Sequence, residues 1–300
     1  MTEYLALSPA LIEAKASAAW ELLKDCTVCP RLCHVDRTAG EKGFCRTLDR
    51  PFISSWGPHF GEERPITGTR GSGTIFFANC NLCCLYCQNW SISQKAEGTP
   101  VSTEKLADIM LELQDSGCHN INLVSPSHQV PMFLKALMAA IKKGLRVPIV
   151  YNTGGYDMVE TLKLLEGVVD IYMPDFKYWD PETAGKLSGA PDYPERARAA
   201  FKEMHRQVGD LVMENNVALK GLLVRHLVLP GGLSGTAEVM RFIAREISKD
   251  AYVNIMDQYY PCYKAWSYPP MDRRITTLEY DEALNAAARA GIKRIDGVTV

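Results

Sequence analysis

From residue 74 onward, short apolar runs alternate with stretches whose apolar side chains recur every three or four positions. The runs 74–78, 121–124, 149–152, 169–173, 222–229 and 252–256 have strand length and are rich in β-branched and aromatic residues. Between them lie helical stripes: Leu106, Ile109, Met110 and Leu113 behind the capping Ser102; Phe133, Leu137, Ala140 and Ile141 behind Pro131; and Met158, Val159, Leu162 and Leu165. Three more follow, at Ala197, Ala200, Phe201, Met204 and Val208, at Val239, Phe242, Ile243 and Ile247, and at Leu284 and Ala287 behind the capping-box pair Thr276 and Glu279. Six β-α repeats predict an α/β fold with a parallel sheet, either doubly wound or curled into a barrel. In both shapes ligands gather at the carboxyl ends of the strands.

The first 73 residues read differently. Ser8 and Pro9 open a helix that carries Ile12, Ala16, Ala19 and Leu23 on one face and ends near Lys24. A cysteine-rich segment follows. Residues 46–73, rich in Gly, Pro and Arg, are expected to be an irregular connector. Its His59, Glu62 and Glu63 are candidate active-site groups, although solvated loop positions are the commoner fate of such residues.

Composition narrows the classes of function. With 47% hydrophobic residues and a net charge of −2 over 300 residues, the chain has neither a polybasic nucleic-acid signature nor an acidic disordered tail. The N-terminal residues lack a secretory pattern, and no run of about 18 apolar residues predicts a membrane span. Ten cysteines, eight of them bunched in two groups, fit metal sites in a reducing compartment, so a cytoplasmic location and an oxygen-sensitive cofactor are expected.

Four cysteines lie within eight residues directly after the first strand. Cys80, Cys84 and Cys87 give C-x3-C-x2-C, while Cys80, Cys83 and Cys87 give C-x2-C-x3-C, and spacing alone does not choose between them. Either set places three thiolates on one tight loop; iron–sulfur cubanes are held by such clustered thiolates, normally four, and with only three ligands one iron keeps an open position. A zinc knuckle or a reduced buried thiol cluster is the blander alternative. Upstream, Cys26, Cys29, Cys33 and Cys45 are spaced C-x2-C-x3-C-x11-C, enough for a closed second site holding either an iron–sulfur cluster or zinc. His34 beside it reads as a neighbour and not a ligand. Polar residues downstream of successive strands, Ser125 and His128, Asn152 and Thr153, Asp175 and Lys177, form one predicted rim. Gln258, Tyr259 and Tyr260 are candidates to face a substrate, with packing at the barrel edge as their simpler role. Cys118 and Cys262 lack local cysteine partners and read as ordinary residues.

The C-x3-C-x2-C pattern with Tyr86 before its last cysteine resembles the radical S-adenosylmethionine (SAM) superfamily. The runs PHFGEERP, GSGTIFFANCNLCCLYCQNWSISQ, NINLVSPSH, YNTGGYD, DIYMPDFKY, RHLVLPG and NIMDQYYP are similar to uncharacterised homologues of pyruvate formate-lyase activating enzyme. The resemblance covers nearly the whole chain. It implies a partial (β/α)6 barrel over 74–300, preceded over 1–73 by the helix, the four-cysteine extension and the connector. It also implies a [4Fe-4S] cluster on Cys80, Cys84 and Cys87 whose open iron takes SAM, reductive SAM cleavage to a 5′-deoxyadenosyl radical, and hydrogen abstraction. Asn89, Asp175, Lys177 and Arg225 would lie near SAM, with Cys83 left as a free thiol. A low-potential donor such as flavodoxin or ferredoxin, and a glycyl radical enzyme or peptide as target, are the implied partners. Two departures stand out. Asn152 and Thr153 fall where activases carry Asp-Thr beside a cation, and Ser125-Pro126-Ser127-His128 replaces the Gly-Gly-Glu that holds the methionine amine. The alternative class is a non-catalytic iron–sulfur electron carrier or redox-responsive binding protein, which needs no polar rim.

Overall fold

The computed structural model describes residues 2–296, so the last four residues of the expected barrel segment lie outside the described residues. Its strands are β1 (Phe52–His59), β2 (Ser72–Phe77), β3 (Thr99–Pro100), β4 (Ile121–Val124), β5 (Ile149–Thr153), β6 (Ile171–Pro174), β7 (Val212–Glu214), β8 (Val217–Leu227), β9 (Tyr252–Met256) and β10 (Arg294–Ile295). The helices are α1 (Pro9–Glu21), α2 (Arg64–Thr67), α3 (Trp90–Ser93), α4 (Thr103–Asp115), α5 (Val130–Lys142), α6 (Val159–Leu164), α7 (Pro181–Ser188), α8 (Tyr193–Val208), α9 (Thr236–Phe242) and α10 (Thr277–Ala290).

Strand order across the sheet is β10-β9-β8-β6-β5-β4-β2-β1-β3, and β2 through β9 pair in parallel along this path. The parallel strands follow sequence order without a reversal. A doubly wound sheet needs such a reversal at its switch point, so this sheet is wound in one direction, as an arc of a barrel. The described arc ends in β10 at one edge and in the antiparallel pair β1 and β3 at the other.

Alternation along the strands separates two layers. Ile121, Leu123, Ile149, Tyr151, Tyr172, Leu222 and Val224 belong to the main core under the helices, and α1 packs against α5 and α6 on that outer side. The opposite faces of the strands supply Val150, Ile171, Met173 and Leu223, which close with Ile66 of α2 and with Leu211 into a smaller apolar plug inside the arc. Above the plug, the same inward parity carries Asn122, Asn152, Asp175, Arg225 and Asn254. Apolar side chains therefore fill one end of the lumen, and polar ones line the carboxyl end.

The connector expectation is corrected. Residues 52–59 form β1 in antiparallel register with β2, and 64–67 form the short α2 that delivers Ile66 to the lumen. Gly57 and Pro58 hid the strand. β3 pairs only with Phe52 and Ile53, so Pro58 sits on an unpaired edge, where a missing N–H costs nothing. Helix α7 was also unanticipated, although Asp180 and Pro181 form an N-cap and first-turn pair, with the Thr183 N–H donating to Asp180 Oδ2 at 2.7 Å.

Candidate active site

The loop leaving β2 is fixed at both ends by backbone hydrogen bonds. Ala78 N donates to Phe52 O, and Asn79, in the left-handed region at φ 69°, donates its N–H to Ile92 O. Further along, Cys83 N and Leu85 N donate to Ser188 O and Leu187 O at the end of α7, while Lys264 N donates to Leu85 O. The intervening cysteines therefore sit on a braced scaffold.

Polarity of contact separates the four thiols. Cys80 Sγ accepts from Leu82 N at 3.4 Å, with the amide oxygen Asn81 Oδ1 farther off at 3.9 Å; Ser93 Oγ lies 3.2 Å from Cys87 Sγ, and Ser188 Oγ donates to Cys84 Sγ at 2.9 Å. Cys83 Sγ instead lies 3.2 Å from the carbonyl oxygen of Ser188. A carbonyl has no proton to give, so this contact needs a protonated Cys83, whereas the other three sulfurs have donors suited to thiolates. Burial pushes the Cys80 thiol up to about 12 and the Cys87 thiol up to about 11, with Cys84 adding to both and Lys177 opposing. Thiolates in so dry a place need positive charge close by.

That charge lies in the lumen. Arg225 Nε donates to Asp175 Oδ1 at 2.8 Å and its Nη2 to Asn152 Oδ1 at 2.9 Å, and Lys177 Nζ donates to Asp175 Oδ2 at 2.6 Å. Burial works against ionisation of Asp175, yet Arg225 and Lys177 together hold its carboxyl below the usual range. The two acids of the former connector complete the group. Glu62 Oε2 and Glu63 Oε1 lie 3.9 and 3.7 Å from Arg225 Nη1, and Asn254 donates to Glu63 Oε1 at 3.1 Å. Glu62 is only 8% exposed, and burial, joined by the Glu63 charge, raises its pKa against the pull of Arg225. His59 Nδ1 stands 3.3 Å from Glu62 Oε1. Glu63 Oε2 and both polar atoms of the Asn122 amide are buried without a partner. Unpaired polar atoms in a lumen whose Arg225 and Lys177 keep 17% of their side-chain surface in contact with solvent fit a polar ligand.

The other expected rim residues divide. Ser125 ends β4 in the left-handed region at φ 57°, half-buried, its N–H donating to Asn152 O. Asn89 is exposed at the start of α3. Thr153 is not on the rim: it donates to Asp157 Oδ2 at 2.6 Å in a buried network with Ser127 and Tyr151 on the outer side. His128 is not there either. It is 1% exposed, hydrogen-bonded through Nε2 to Ala78 O at 3.1 Å, and burial lowers its pKa to about 3, so it supports the loop as a neutral ring. Tyr86 is buried, edge-on to Tyr178 and Tyr259. Tyr259 is inside the core, while Gln258 and Tyr260 are exposed.

In the N-terminal extension, Leu32 and His34 adopt positive φ, Cys26 N donates to Val35 O, and Phe44 N donates to Cys33 Sγ at 3.3 Å. Burial raises the Cys29 pKa, and Cys45, Cys26 and Cys33 all add to the shift. His34 points instead to Asp25, 2.9 Å away. Among the described residues, no three Cys, His, Asp or Glu side chains are gathered closely enough to hold a single metal ion. Arg37 is 1% exposed and donates to the carbonyls of Leu48 and His128, with Cys26 Sγ at 4.0 Å. Arg31, between two of these cysteines in sequence, donates to Asn81 O at 2.7 Å and Gly189 O at 2.6 Å and so joins the extension to the loop after β2 and to α7.

The family model described as the radical SAM superfamily matches residues 74–228, and the chain belongs to that superfamily. It is similar to uncharacterized protein MJ0674 of Methanocaldococcus jannaschii, 33% identical over 301 residues and covering 96% of this chain and 82% of that one. Uncharacterized protein MJ0808 of the same organism is 22% identical over 290 residues, covering 90% and 79%. Among solved structures, native anSMEcpe with bound AdoMet matches with a TM-score of 0.48 and 14% identity, over 73% of this chain and 61% of that one. Streptococcus suis SuiB bound to precursor peptide SuiA gives a TM-score of 0.45 and 13% identity, over 69% and 43%. The chain thus spans less than two thirds of either solved protein. Among the described residues, no helix is long and apolar enough to cross a membrane.

Proposed function

We propose that this protein reductively cleaves SAM for hydrogen abstraction, with Cys80, Cys84 and Cys87 holding a [4Fe-4S] cluster. When bound, the cluster would supply a low-potential electron and an iron with no protein ligand to hold the amino and carboxylate groups of SAM; one electron would break the sulfonium C5′–S bond, leaving methionine and a 5′-deoxyadenosyl radical. The observation that carries this reading is the polarity of the sulfur contacts: three sulfurs meet donors and the fourth meets a carbonyl. Lys177 and Arg225 would offset the thiolate and carboxylate charge. Ser125, Asn152, Asp175 and Asn89 would contact SAM, while His128, Thr153 and Tyr86 position the loop and strand ends from behind.

The likeness to pyruvate formate-lyase activating enzyme supports a glycyl radical enzyme or peptide as the target and a flavodoxin- or ferredoxin-type donor as the reductant. Cys26, Cys29, Cys33 and Cys45 are proposed to hold a second, closed centre; because no three of them are gathered around one point, an iron–sulfur cluster fits their spread better than a single zinc ion. Arg37 supports it, because a buried guanidinium bonded to carbonyls and to the sulfurs of Cys26 and Met132, with no carboxylate, needs negative charge, and four bound thiolates provide it. Anaerobic reconstitution followed by SAM and dithionite tests both parts. Formation of 5′-deoxyadenosine is expected, with metal analysis showing one cluster plus either a second cluster or one zinc. A fully loaded protein that forms no 5′-deoxyadenosine would instead be an electron carrier.

A further inference from the structure

Behind Cys84 runs a line of buried hydroxyl groups that the reaction proposed above does not use. Ser188 Oγ is 2.9 Å from Cys84 Sγ, Tyr178 Oη is 2.6 Å from Ser188 Oγ, and Tyr86 Oη is 2.6 Å from Tyr178 Oη. Tyr178 and Ser188 are fully buried and Tyr86 is 6% exposed. Ser188 ends α7, and its backbone oxygen is held by Cys83 N at 3.2 Å and Arg31 Nη2 at 3.4 Å, so its position does not depend on its hydroxyl.

Each hydroxyl has one proton. A metal-bound Cys84 has none, so the contact to sulfur must use the proton of Ser188. The Ser188 oxygen then accepts from Tyr178, a contact whose geometry lets either oxygen donate; the same Tyr178 hydroxyl is also aimed at Tyr86, so its one proton is shared between the two. With a thiolate at one end, only this polarity satisfies both contacts of Ser188, and it aims the Ser188 and Tyr178 O–H dipoles at the sulfur. Burial holds the Tyr178 phenol well above its ordinary range, so its proton stays available to Ser188. Each bond polarises the next in a dry environment.

We propose that Ser188, backed by Tyr178, is a positioning residue that sets the reduction potential of the cluster through Cys84. Adding an electron places more negative charge on the thiolate sulfurs, so donors aimed at a sulfur favour the reduced form; hydrogen bonds of this kind are among the determinants of cluster potential. The inference rests on the cluster assignment above.

The test is an EPR-monitored redox titration of the reconstituted protein, following the signal that changes on adding SAM. Ser188→Ala is expected to lower the reduction equilibrium constant roughly tenfold, which for one electron is about 59 mV more negative. Tyr178→Phe keeps the Ser188 hydroxyl and should give a smaller shift of the same sign, roughly threefold, because it removes only the polarising neighbour. The double variant should match Ser188→Ala alone, since Tyr178 acts only through Ser188. An unchanged midpoint in Ser188→Ala, or shifts that add in the double variant, would overturn the proposal. A wild-type protein with no SAM-responsive signal would sink the functional reading itself, whereas a responsive cluster indifferent to Ser188 sinks only this inference.

Discussion

Cys84→Ala is expected to abolish SAM-dependent 5′-deoxyadenosine formation, a loss of about 100-fold or more, while Cys83→Ala retains it. Two adjacent cysteines with overlapping spacings are thereby assigned opposite roles. Loss of a ligand leaves the cluster with two thiolates, whereas outer-shell changes at metal sites typically cost about 10–100-fold. Cys83 is outside that shell, with its sulfur 3.2 Å from the Ser188 carbonyl and turned towards α7. The assay is product formation per assembled cluster, with iron content measured on the same samples. Activity in Cys84→Ala together with its loss in Cys83→Ala would reverse the ligand assignment.

Arg225→Met should destabilise the protein by about 3 kcal/mol near pH 8, because it strips the shared cation from Asp175, Glu62 and Glu63. The pH dependence gives the stronger check. In the native protein the Asp175 pKa lies below its ordinary value, so its stabilising contribution is present above the unfolded pKa of about 3.9 and is lost as pH falls through the folded pKa. Without Arg225 the same carboxyl, and the Glu62 carboxyl already raised by burial, titrate above their unfolded values. The variant then regains stability as pH falls towards 5. Urea unfolding of both proteins under anaerobic conditions at pH 8 and pH 5 should show a gap that narrows on acidification. A gap of the same size at both values would mean that Arg225 matters for packing and not for charge.

The parallel strands were legible because apolar runs of four to eight residues separated by helical stripes leave few alternatives. The shape they close into was not, since repeat counting does not reveal whether strand order reverses; that became clear only from the pairing. β1 was concealed by Gly57 and Pro58, which are tolerated because the strand's far end is unpaired. Asn152 and Thr153 show what alternation alone reveals. With Val150 facing the lumen, period two sends Asn152 inward and Thr153 outward, as the structure shows, so grouping both at one rim ignored an available signal. Glu62 and Glu63 had no comparable signal. Acids on a Gly- and Pro-rich segment read as solvated, and only the folding of residues 52–67 over the lumen opposite Arg225 makes them buried partners. Spacing left Cys83 and Cys84 equivalent and only the resemblance favoured Cys84; the physical support comes from α7, whose Ser188 hydroxyl meets one sulfur and whose carbonyl meets the other.

In the cluster proposed on Cys80, Cys84 and Cys87, one iron is ligated by SAM itself. Electron–nuclear double resonance on the reduced protein, with SAM carrying ¹⁵N in its amino group, addresses that point directly. A ¹⁵N coupling to the cluster signal is the expected result. A reduced cluster that binds SAM yet shows no coupling, or a site filled by zinc, would contradict it.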